Sequence, residues 1–253
     1  MADIKQQFFE RFLRELFQRR GEGFVLKGGA AMQALFEPHR LTKDIDLDFA
    51  NPKRSADSLH NSIARALQVA ARVTRVNDYS VKTPGRAEQS PRWKINFTDR
   101  LGQRHHLEVE VSRAQERATP SAPIQVRYAP RAAVGMAPFW VDLYDKPALI
   151  ASKLTALLGR KVPAPRDIYD LEKLCADAGP VDDELIQWAL HRAGVGDVDP
   201  LVLLRDRLNE LGWAAFQSQL LDALPSDEAE RMNEAEWQAM KDRVSAYLEG
   251  LLQ

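Results

Sequence analysis

The fold of this chain is decided by residues 24–49, which read FVLKGGAAMQALFEPHRLTKDIDLDF. Residues 24–26 form a short apolar run that predicts a buried strand, and Gly28-Gly29 follows almost at once. A helix rich in small residues comes next and is ended by Pro38. Residues 45–49 alternate apolar and acidic side chains, which is typical of a strand. The segment therefore predicts a strand, a tight turn, a helix and a second strand.

The second of these strands carries three aspartates on one face. Asp44, Asp46 and Asp48 share that face because side chains alternate along a strand, while the apolar residues between them point into the core. Two carboxylates at positions i and i+2 can bind Mg²⁺, a hard cation that prefers oxygen ligands. An exposed acidic edge strand would explain the D-x-D pattern equally well.

The glycine pair has two interpretations as well. A strand that runs into Gly28-Gly29 and a helix start exposes backbone N–H groups and lets a phosphate approach closely. A tight strand-to-helix turn without a ligand would need the same residues.

Residues 107–112 form a second acidic strand, in which Glu108 and Glu110 share a face. If this strand lies beside the first, one of the two glutamates completes a site of three carboxylates. Such a site can position two metal ions for in-line attack on the α-phosphate of a nucleotide. An amphipathic strand with one wet face is the simpler interpretation.

The rest of the chain separates into a mixed half and a helical half. Helices are predicted at 3–20 and 57–71, and strands at 73–81, 93–98, 107–112 and 124–128, with residues 114–138 otherwise irregular. Further helices are predicted at 145–158, 166–178, 182–193, 199–211, 213–223 and 234–252. We therefore expect an α/β (α+β) fold, with a mixed sheet flanked by helices in residues 1–138 and a helical domain in residues 139–253.

Composition excludes several classes of protein. No apolar run approaches the length of a membrane span, and the first residues show no secretory signal. One cysteine, Cys175, excludes an internal disulfide framework and a multi-cysteine zinc site, and it fits a reducing cytoplasm.

The net charge of −1 hides an uneven distribution. Residues 51–131 carry fifteen Lys and Arg against seven Asp and Glu, whereas residues 170–253 carry seven against eighteen. A basic region suggests a polyanionic partner such as a nucleotide or RNA. Two solvated faces of unequal composition would give the same counts.

Four sequence blocks together resemble the AbiEii nucleotidyltransferase family, which comprises toxins of bacterial toxin–antitoxin and phage-defence systems and includes the MenT enzymes. The blocks are LKGG at 26–29, RLTKDIDL at 40–47, KLTALLGR at 153–160 and RDIYDL at 166–171. They span well over half of the chain in the order typical of the family. One departure is Ala30, which stands where the family has Ser or Thr after the glycine pair.

The resemblance implies a role for each matching residue of the first two blocks. Asp44 and Asp46 would be catalytic and bind Mg²⁺ or Mn²⁺, with Glu110 as a third carboxylate. The glycine pair would cradle the triphosphate of an NTP together with position 30. The hydroxyl lost at Ala30 would be replaced by backbone amides or by Thr42, or its loss would change the nucleotide preference or weaken the activity.

The later blocks would supply further groups to the same reaction, with the helical domain completing the active site. Lys153 would contact the β- or γ-phosphate, and Asp167 would orient Lys153 or bind the base or sugar. Arg160 and Arg166 would reach phosphate or RNA. From the residues alone, Lys153 could also be a surface lysine, and Asp167 and Asp170 could be surface partners of Arg166 or Lys173.

The function implied by the resemblance is transfer of NMP from an NTP to an RNA acceptor, the 3′ end of tRNA, which would block translation. A cognate antitoxin would restrain the enzyme in the cytoplasm. Two other hypotheses remain open. A γ-phosphate that faces the acceptor would make the protein a kinase-like phosphotransferase acting on a protein hydroxyl. A chain that has lost catalysis would be a nucleotide or RNA binder, with Ala30 as a first sign of decay.

Overall fold

The computed structural model describes residues 4–18, 23–37, 39–42, 44–51, 55–113 and 119–253. The elements, in chain order, are α1 (Ile4–Phe17), β1 (Phe24–Lys27), α2 (Gly28–Leu35), β2 (Asp44–Phe49), α3 (Ala56–Thr74), β3 (Asn77–Lys82), β4 (Arg92–Thr98), β5 (Arg104–Ser112), β6 (Ile124–Tyr128), β7 (Phe139–Leu143), α4 (Lys146–Gly159), α5 (Pro165–Cys175), α6 (Asp183–Ala193), α7 (Pro200–Glu210), α8 (Trp213–Gln219), a 3₁₀ turn (Leu221–Ala223), α9 (Ser226–Arg231) and α10 (Glu234–Leu252). The expected mixed α/β fold is confirmed.

The seven strands form one mixed sheet in the order β3-β4-β5-β2-β1-β7-β6. Two neighbouring pairs, β2 with β5 and β1 with β7, run parallel, and the other pairs run antiparallel. The acidic strand β2 is therefore internal, so the interpretation of the D-x-D pattern as an edge strand is wrong.

Two helices cover one face of this sheet. Phe8 of α1 stacks on Phe97 of β4, with ring centroids 5.0 Å apart, and His60 of α3 meets Trp93 of β4 edge-on at 4.9 Å. In β4 the side chains alternate between buried and exposed, which is the pattern of a strand with one face in the core. The other face of β4 is thus left to polar residues.

Contacts between residues divide the chain into two units. The first unit contains residues 1–35, 42–118 and 123–143, and the second contains 36–41, 119–122 and 144–253. The predicted division at residue 138 remains a proposal about folding domains. The structure adds that Leu143 of β7 pairs with Leu26 of β1, and that the segment before β2 belongs to the second unit.

Within the second unit α4 packs against α5 and α6, while α10 packs against α5, α7 and α8. Three helices have an Asp or Asn cap: Asp145 for α4, Asp199 for α7 and Asn233 for α10 each accept a backbone N–H from the first turn. Among the described residues, no helix is both long enough and apolar enough to cross a membrane.

The predicted elements differ from the observed ones at four places. Residues 73–74 end α3 instead of starting a strand, and the chain turns at Arg75 in the left-handed conformation. Strand β7 lies where a domain break was expected, and its five residues are too few to show a period. Helix α9 has no apolar stripe, so its sequence carried no helical signal. The predicted helix 213–223 ends at Gln219.

Candidate active site

The carboxylates of β2 and β5 lie side by side on the polar face of the first unit. The parallel register of the two strands places Asp44 beside Glu108 and Asp46 beside Glu110. Each of these four residues is half-buried. The residues between them, Ile45 and Leu47, are fully buried on the opposite face. The structure thus brings the three predicted metal ligands, Asp44, Asp46 and Glu110, onto one face in adjacent strands.

Three cations flank this carboxylate row. Lys27 Nζ donates to Asp48 Oδ1 at 2.6 Å, so Asp48 is neutralised from the β1 side. Arg92 Nη2 lies 2.8 Å from Glu110 Oε2 and its Nη1 lies 3.6 Å from Glu108 Oε1. Lys94 Nζ is 3.9 Å from Glu108 Oε2. Sequence reasoning did not identify these partners, because only the strand register makes them neighbours of the acidic residues.

The pKa of the Glu110 carboxyl is raised from its ordinary value. Burial is the main cause, the positive charge of Arg92 opposes it, and the negative charge of Asp46 adds to it. The negative charge of Asp46 therefore adds to the effect of burial in disfavouring the ionised form of Glu110.

Gly28 makes the turn from β1 into α2 and touches the acidic row. Its φ of +61° lies in the left-handed region, and a Cβ atom at this position would collide with the Asp46 carboxylate. Any other residue here would strain the backbone and displace Asp46. The turn therefore requires glycine for two reasons, the positive φ and the space occupied by the Asp46 carboxylate.

Of the other residues predicted to bind the nucleotide, Gly29 and Ala30 follow Gly28 in α2 and Thr42 precedes β2, whereas Lys153 and Arg166 belong to the second unit. Gly29 and Ala30 are buried, and Ala30 is fully enclosed, so its methyl group belongs to the packing. The Thr42 hydroxyl donates to the backbone carbonyl of Asp44 at 3.0 Å. Thr42 thus holds the start of the acidic strand.

The chemistry of this row suits Mg²⁺ or Mn²⁺. All its ligands are oxygen atoms, which these hard cations prefer, and the repulsion between Asp46 and Glu110 is of the kind that a bound cation relieves. No group of three or more His, Cys, Asp or Glu side chains is already arranged around a common metal position in the part of the chain that is described. The pair Asp44 and Asp46 would therefore hold the ion, and Glu110 would join only after leaving Arg92.

A second cluster of charged residues lies in the second unit around Asp170. Arg40 donates hydrogen bonds to both oxygens of the Asp170 carboxylate, from Nε and Nη2 and both at 2.7 Å. His39 Nε2 lies 3.1 Å from Asp170 Oδ1. Lys153 Nζ is 2.5 Å from Asp170 Oδ2 and 3.2 Å from Asp167 Oδ1. All five of these residues are buried.

The electrostatics of this cluster follow from its pairing. Burial alone would raise the pKa of Asp170, but the charges of Lys153 and Arg40 and the hydrogen bonds from His39 and Arg40 hold it well below the ordinary value. Burial lowers the pKa of His39, although Asp170 opposes that shift. His39 is therefore neutral near pH 7 and donates its Nε2 proton to the ionised Asp170.

Two alternative interpretations of residues in this region are wrong. Asp167 and Asp170 are fully buried, so they are not surface partners of Arg166 or Lys173, and Lys153 is not a surface lysine. Lys173 pairs with Glu228 instead, at 2.9 Å. Tyr169 is a core residue, and its hydroxyl donates to Glu228 at 2.6 Å.

The two arginines that were predicted to reach phosphate or RNA, Arg160 and Arg166, differ in their surroundings. Arg160 Nη1 lies 3.4 Å from Asp167 Oδ2, whereas the side chain of Arg166 is exposed to solvent. His39 and Arg40 were not identified as functional residues. They stand in a loop without periodicity, and only the contact of Arg40 with a residue 130 positions later reveals their role.

Comparison with known proteins gives a family and a fold. The family model described as "Nucleotidyl transferase AbiEii toxin, Type IV TA system" matches residues 11–249. Among curated proteins no match was found. In the solved structure of MenT4, a nucleotidyltransferase toxin from Mycobacterium tuberculosis H37Rv, the alignment covers 98% of this chain and 84% of the other, with a TM-score of 0.66 and 16% sequence identity.

A second and a third similar structure come from Helicobacter pylori. JHP933 aligns over 97% of this chain and 92% of its own, with a TM-score of 0.54 and 17% identity. A protein described as a candidate nucleotidyltransferase aligns over 99% and 97%, with a TM-score of 0.56 and 17% identity. At these identities the similarity shows a shared fold.

Proposed function

The chain belongs to the AbiEii family of nucleotidyltransferase toxins, and from this premise we propose that it transfers NMP from an NTP to an RNA acceptor, the 3′ end of tRNA, and so blocks translation. The observation that supports this proposal most directly is the register of β2 and β5, which sets Asp46 beside Glu110 next to a phosphate-compatible turn at Gly28. A cognate antitoxin and a role in phage defence are parts of the same proposal.

In the proposed reaction, the terminal hydroxyl oxygen of the RNA forms a bond to the α-phosphorus of the NTP. The bond from that phosphorus to the bridging oxygen of the β-phosphate breaks, pyrophosphate leaves, and the hydroxyl proton passes to solvent. Mg²⁺ or Mn²⁺ would screen the phosphate charge in this displacement. Asp44 and Asp46 would hold the cation, and the backbone N–H groups of the turn at Gly28 and Gly29 would bind phosphate oxygens.

Lys153 and Asp167 have a separate part in the proposal. Two buried carboxylates, Asp167 and Asp170, hold the ammonium group of Lys153 at 3.2 and 2.5 Å. We propose that Lys153 contacts the β- or γ-phosphate and that Asp167 fixes its orientation. The ammonium group of a lysine held in this way acts as a point charge, and the side chain loses little conformational freedom when it binds a phosphate.

The test is incubation with total tRNA and each NTP, labelled in parallel at the α- or the γ-phosphate. The proposal expects label in tRNA from the α-phosphate only, and no label with Asp46→Asn. Asp206→Asn, an exposed carboxylate on α7, is the matched control and should label normally. Label transferred only from the γ-phosphate would replace this proposal with a phosphotransferase, and binding without any transfer would leave a nucleotide or RNA binder.

A further inference from the structure

On the sheet face opposite α1 and α3, the charge of the side chains changes from positive at the β3 edge to negative at β5 and β2. Strand register aligns Lys82 of β3 with Lys94 of β4, Lys94 with Glu108 of β5, and Glu108 with Asp44 of β2. Residues directly opposite one another point to the same face of a sheet. One row across four strands therefore runs from two lysines at the sheet edge to two carboxylates at the centre.

The row beside it repeats this order. Arg92 of β4 lies opposite Glu110, which in turn lies beside Asp46. A third row adds neutral polar groups, with Ser80 opposite Asn96 and Asn96 opposite His106. We call the polar side chains of β3 and β4 on this face, together with Arg104 and His106, the basic face. Its members are Asn77, Ser80, Lys82, Arg92, Lys94, Asn96, Thr98, Arg104 and His106. It also carries one carboxylate, Asp78, which accepts a hydrogen bond from the Thr98 hydroxyl at 2.8 Å.

The lysines of the basic face are not explained by pairing within the protein. Lys82 and Lys94 lie directly opposite each other, an arrangement of like charges that costs stability. Neither Lys82 nor Arg104 forms an ion pair with any described residue. Lys94 is about half exposed, and its contact with Glu108 is long, at 3.9 Å. The positive charge at this edge is therefore available to an anion from outside.

We propose that the basic face binds the phosphodiester backbone of the acceptor RNA and leads the end of the RNA to the carboxylate row. This inference rests on the proposed function and names the surface that would hold its substrate. Three strand spacings separate Lys82 from Asp44, which is about 14 Å between backbones. Phosphates a short way upstream of the reacting hydroxyl would thus lie over the two lysines.

The chemistry of the basic face favours backbone contacts over base recognition. Its described side chains include no Phe, Tyr or Trp on which a base could stack, because the aromatic residues Trp93 and Phe97 of β4 point into the core. Lysine, arginine, asparagine and serine are the donors that bind phosphate and sugar oxygens. Binding should accordingly depend strongly on salt and weakly on RNA sequence.

The test compares two doubly substituted proteins of equal net charge. Lys82→Gln/Lys94→Gln removes the lysines and keeps side chains of similar length. Arg14→Gln/Arg72→Gln is the matched control on α1 and α3, the helices that cover the other face. Affinity for fluorescently labelled total tRNA is measured without NTP at several salt concentrations, NTP affinity is measured separately, and transfer to tRNA is measured with α-labelled NTP.

The proposal expects tRNA binding about tenfold weaker for the lysine variant and a salt slope reduced by about 1.5, with the control variant within about twofold of the unmodified protein. NTP affinity should be affected far less than tRNA affinity, because the contact of Lys94 with the row is long and Lys82 has none among the described residues. If both variants bind tRNA equally, the basic face is not the RNA surface, while transfer by the unmodified protein would leave the proposed function intact.

Three further outcomes would also overturn the inference. A loss of NTP affinity would assign the lysines to the nucleotide. Self-association with normal tRNA binding would mean that they protect the edge strand β3 from pairing with another sheet. Failure of the unmodified protein both to bind tRNA and to label it would end this inference and the proposed function together.

Discussion

The carboxylate row of β2 and β5 and the Asp170 cluster are both assemblies of acidic and basic side chains, but their charges are balanced differently. Among the described residues, the row sets five carboxylates against Lys27, Arg92 and Lys94, and its members are largely half-buried. The Asp170 cluster sets two fully buried carboxylates against Arg40, Lys153 and Arg160.

The difference indicates what each assembly lacks. A row with surplus negative charge at a solvent-accessible face is suited to bind a cation, whereas a buried cluster with surplus positive charge is suited to hold its cations in place and to meet an anion. Buried charges are tolerated only when they are paired, so the second assembly is also needed for stability. Substitutions in the row should therefore affect chemistry first, and substitutions in the cluster should affect folding first.

The largest effect on activity should come from Asp46→Asn. We expect NMP transfer to fall by about 10³-fold or more, because the charge that would hold the metal is lost, while stability stays the same or rises as repulsion with Glu110 is relieved. Asp48→Asn is the control from the same strand face: its carboxylate is bonded to Lys27, and we expect less than a tenfold loss, about 1 kcal/mol. Equal losses in transfer rate for the two variants would remove the distinction between them.

Asp170→Asn should have the largest effect on stability. It leaves Arg40 buried without its carboxylate and Lys153 with Asp167 as its remaining acidic partner, which we expect to cost about 3–5 kcal/mol of unfolding free energy. Urea unfolding measures the change in the free energy of unfolding, and hydrogen exchange of the amides in α4 and α5 shows where protection is lost. A variant as stable as the unmodified protein would show that the cluster contributes little to folding.

Gly28→Ala separates backbone strain from interference with the carboxylate row. The positive φ predicts a cost of about 1–2 kcal/mol in stability, and the collision of the new Cβ with Asp46 predicts an additional loss of NMP transfer. Gly102→Ala is the matched control, because Gly102 has a φ of +79° and open space around it. This control should lose similar stability and keep its transfer rate.

The pH dependence of the second unit should reflect His39. Its pKa is lowered in the folded state, so the folded form resists protonation and stability falls as the pH drops below about 6.5, the pKa of unfolded histidine, by at most about 1.4 kcal/mol per pH unit. The neighbouring charges are Asp170, Arg40 and Lys153. Hydrogen exchange of α5 at pH 5.5 and 7.5 should show this loss in the unmodified protein and a smaller one in His39→Gln. An equal loss in both would assign the effect to another group.

The sequence predicted the two acidic strands and the glycine turn that precedes the first of them, because each is encoded by neighbouring residues. Alternation in residues 45–49 and a glycine pair after an apolar run were enough to predict β1, α2 and β2. That the two acidic strands lie side by side was a hypothesis, and the register of β2 and β5 confirms it. These features depend on local periodicity and on chain reversal, both of which can be inferred from single residues and their spacing.

The partners of those acidic residues could not be predicted in the same way. Arg92, His39 and Arg40 have no local signal for function: Arg92 meets Glu110 through the register of β4 and β5, and His39 and Arg40 meet Asp170 across 131 and 130 residues. Two short elements, β7 and α9, were not predicted, because β7 buries only two alternating residues, Val141 and Leu143, and α9 buries none. Charge pairing across a fold is a property of the register and packing, so only the structure reveals it.

Arg92→Gln should give the smallest change in stability and tests how the row is balanced. Arg92 is more than half exposed, so its pair with Glu110 should contribute less than about 0.5 kcal/mol to unfolding free energy. Arg92 pairs with the Glu110 carboxylate, which would bind a metal together with Asp46. Removing the arginine should therefore strengthen Mn²⁺ binding a few-fold. Calorimetric titration with Mn²⁺ measures this directly, and Lys94→Gln, whose contact with Glu108 is longer, should change the affinity less. Weaker Mn²⁺ binding in Arg92→Gln would mean that the arginine holds Glu110 in place for the metal. The carboxylate row would then resemble the Asp170 cluster, in which arginine and lysine side chains of the protein fix the position of the carboxylate.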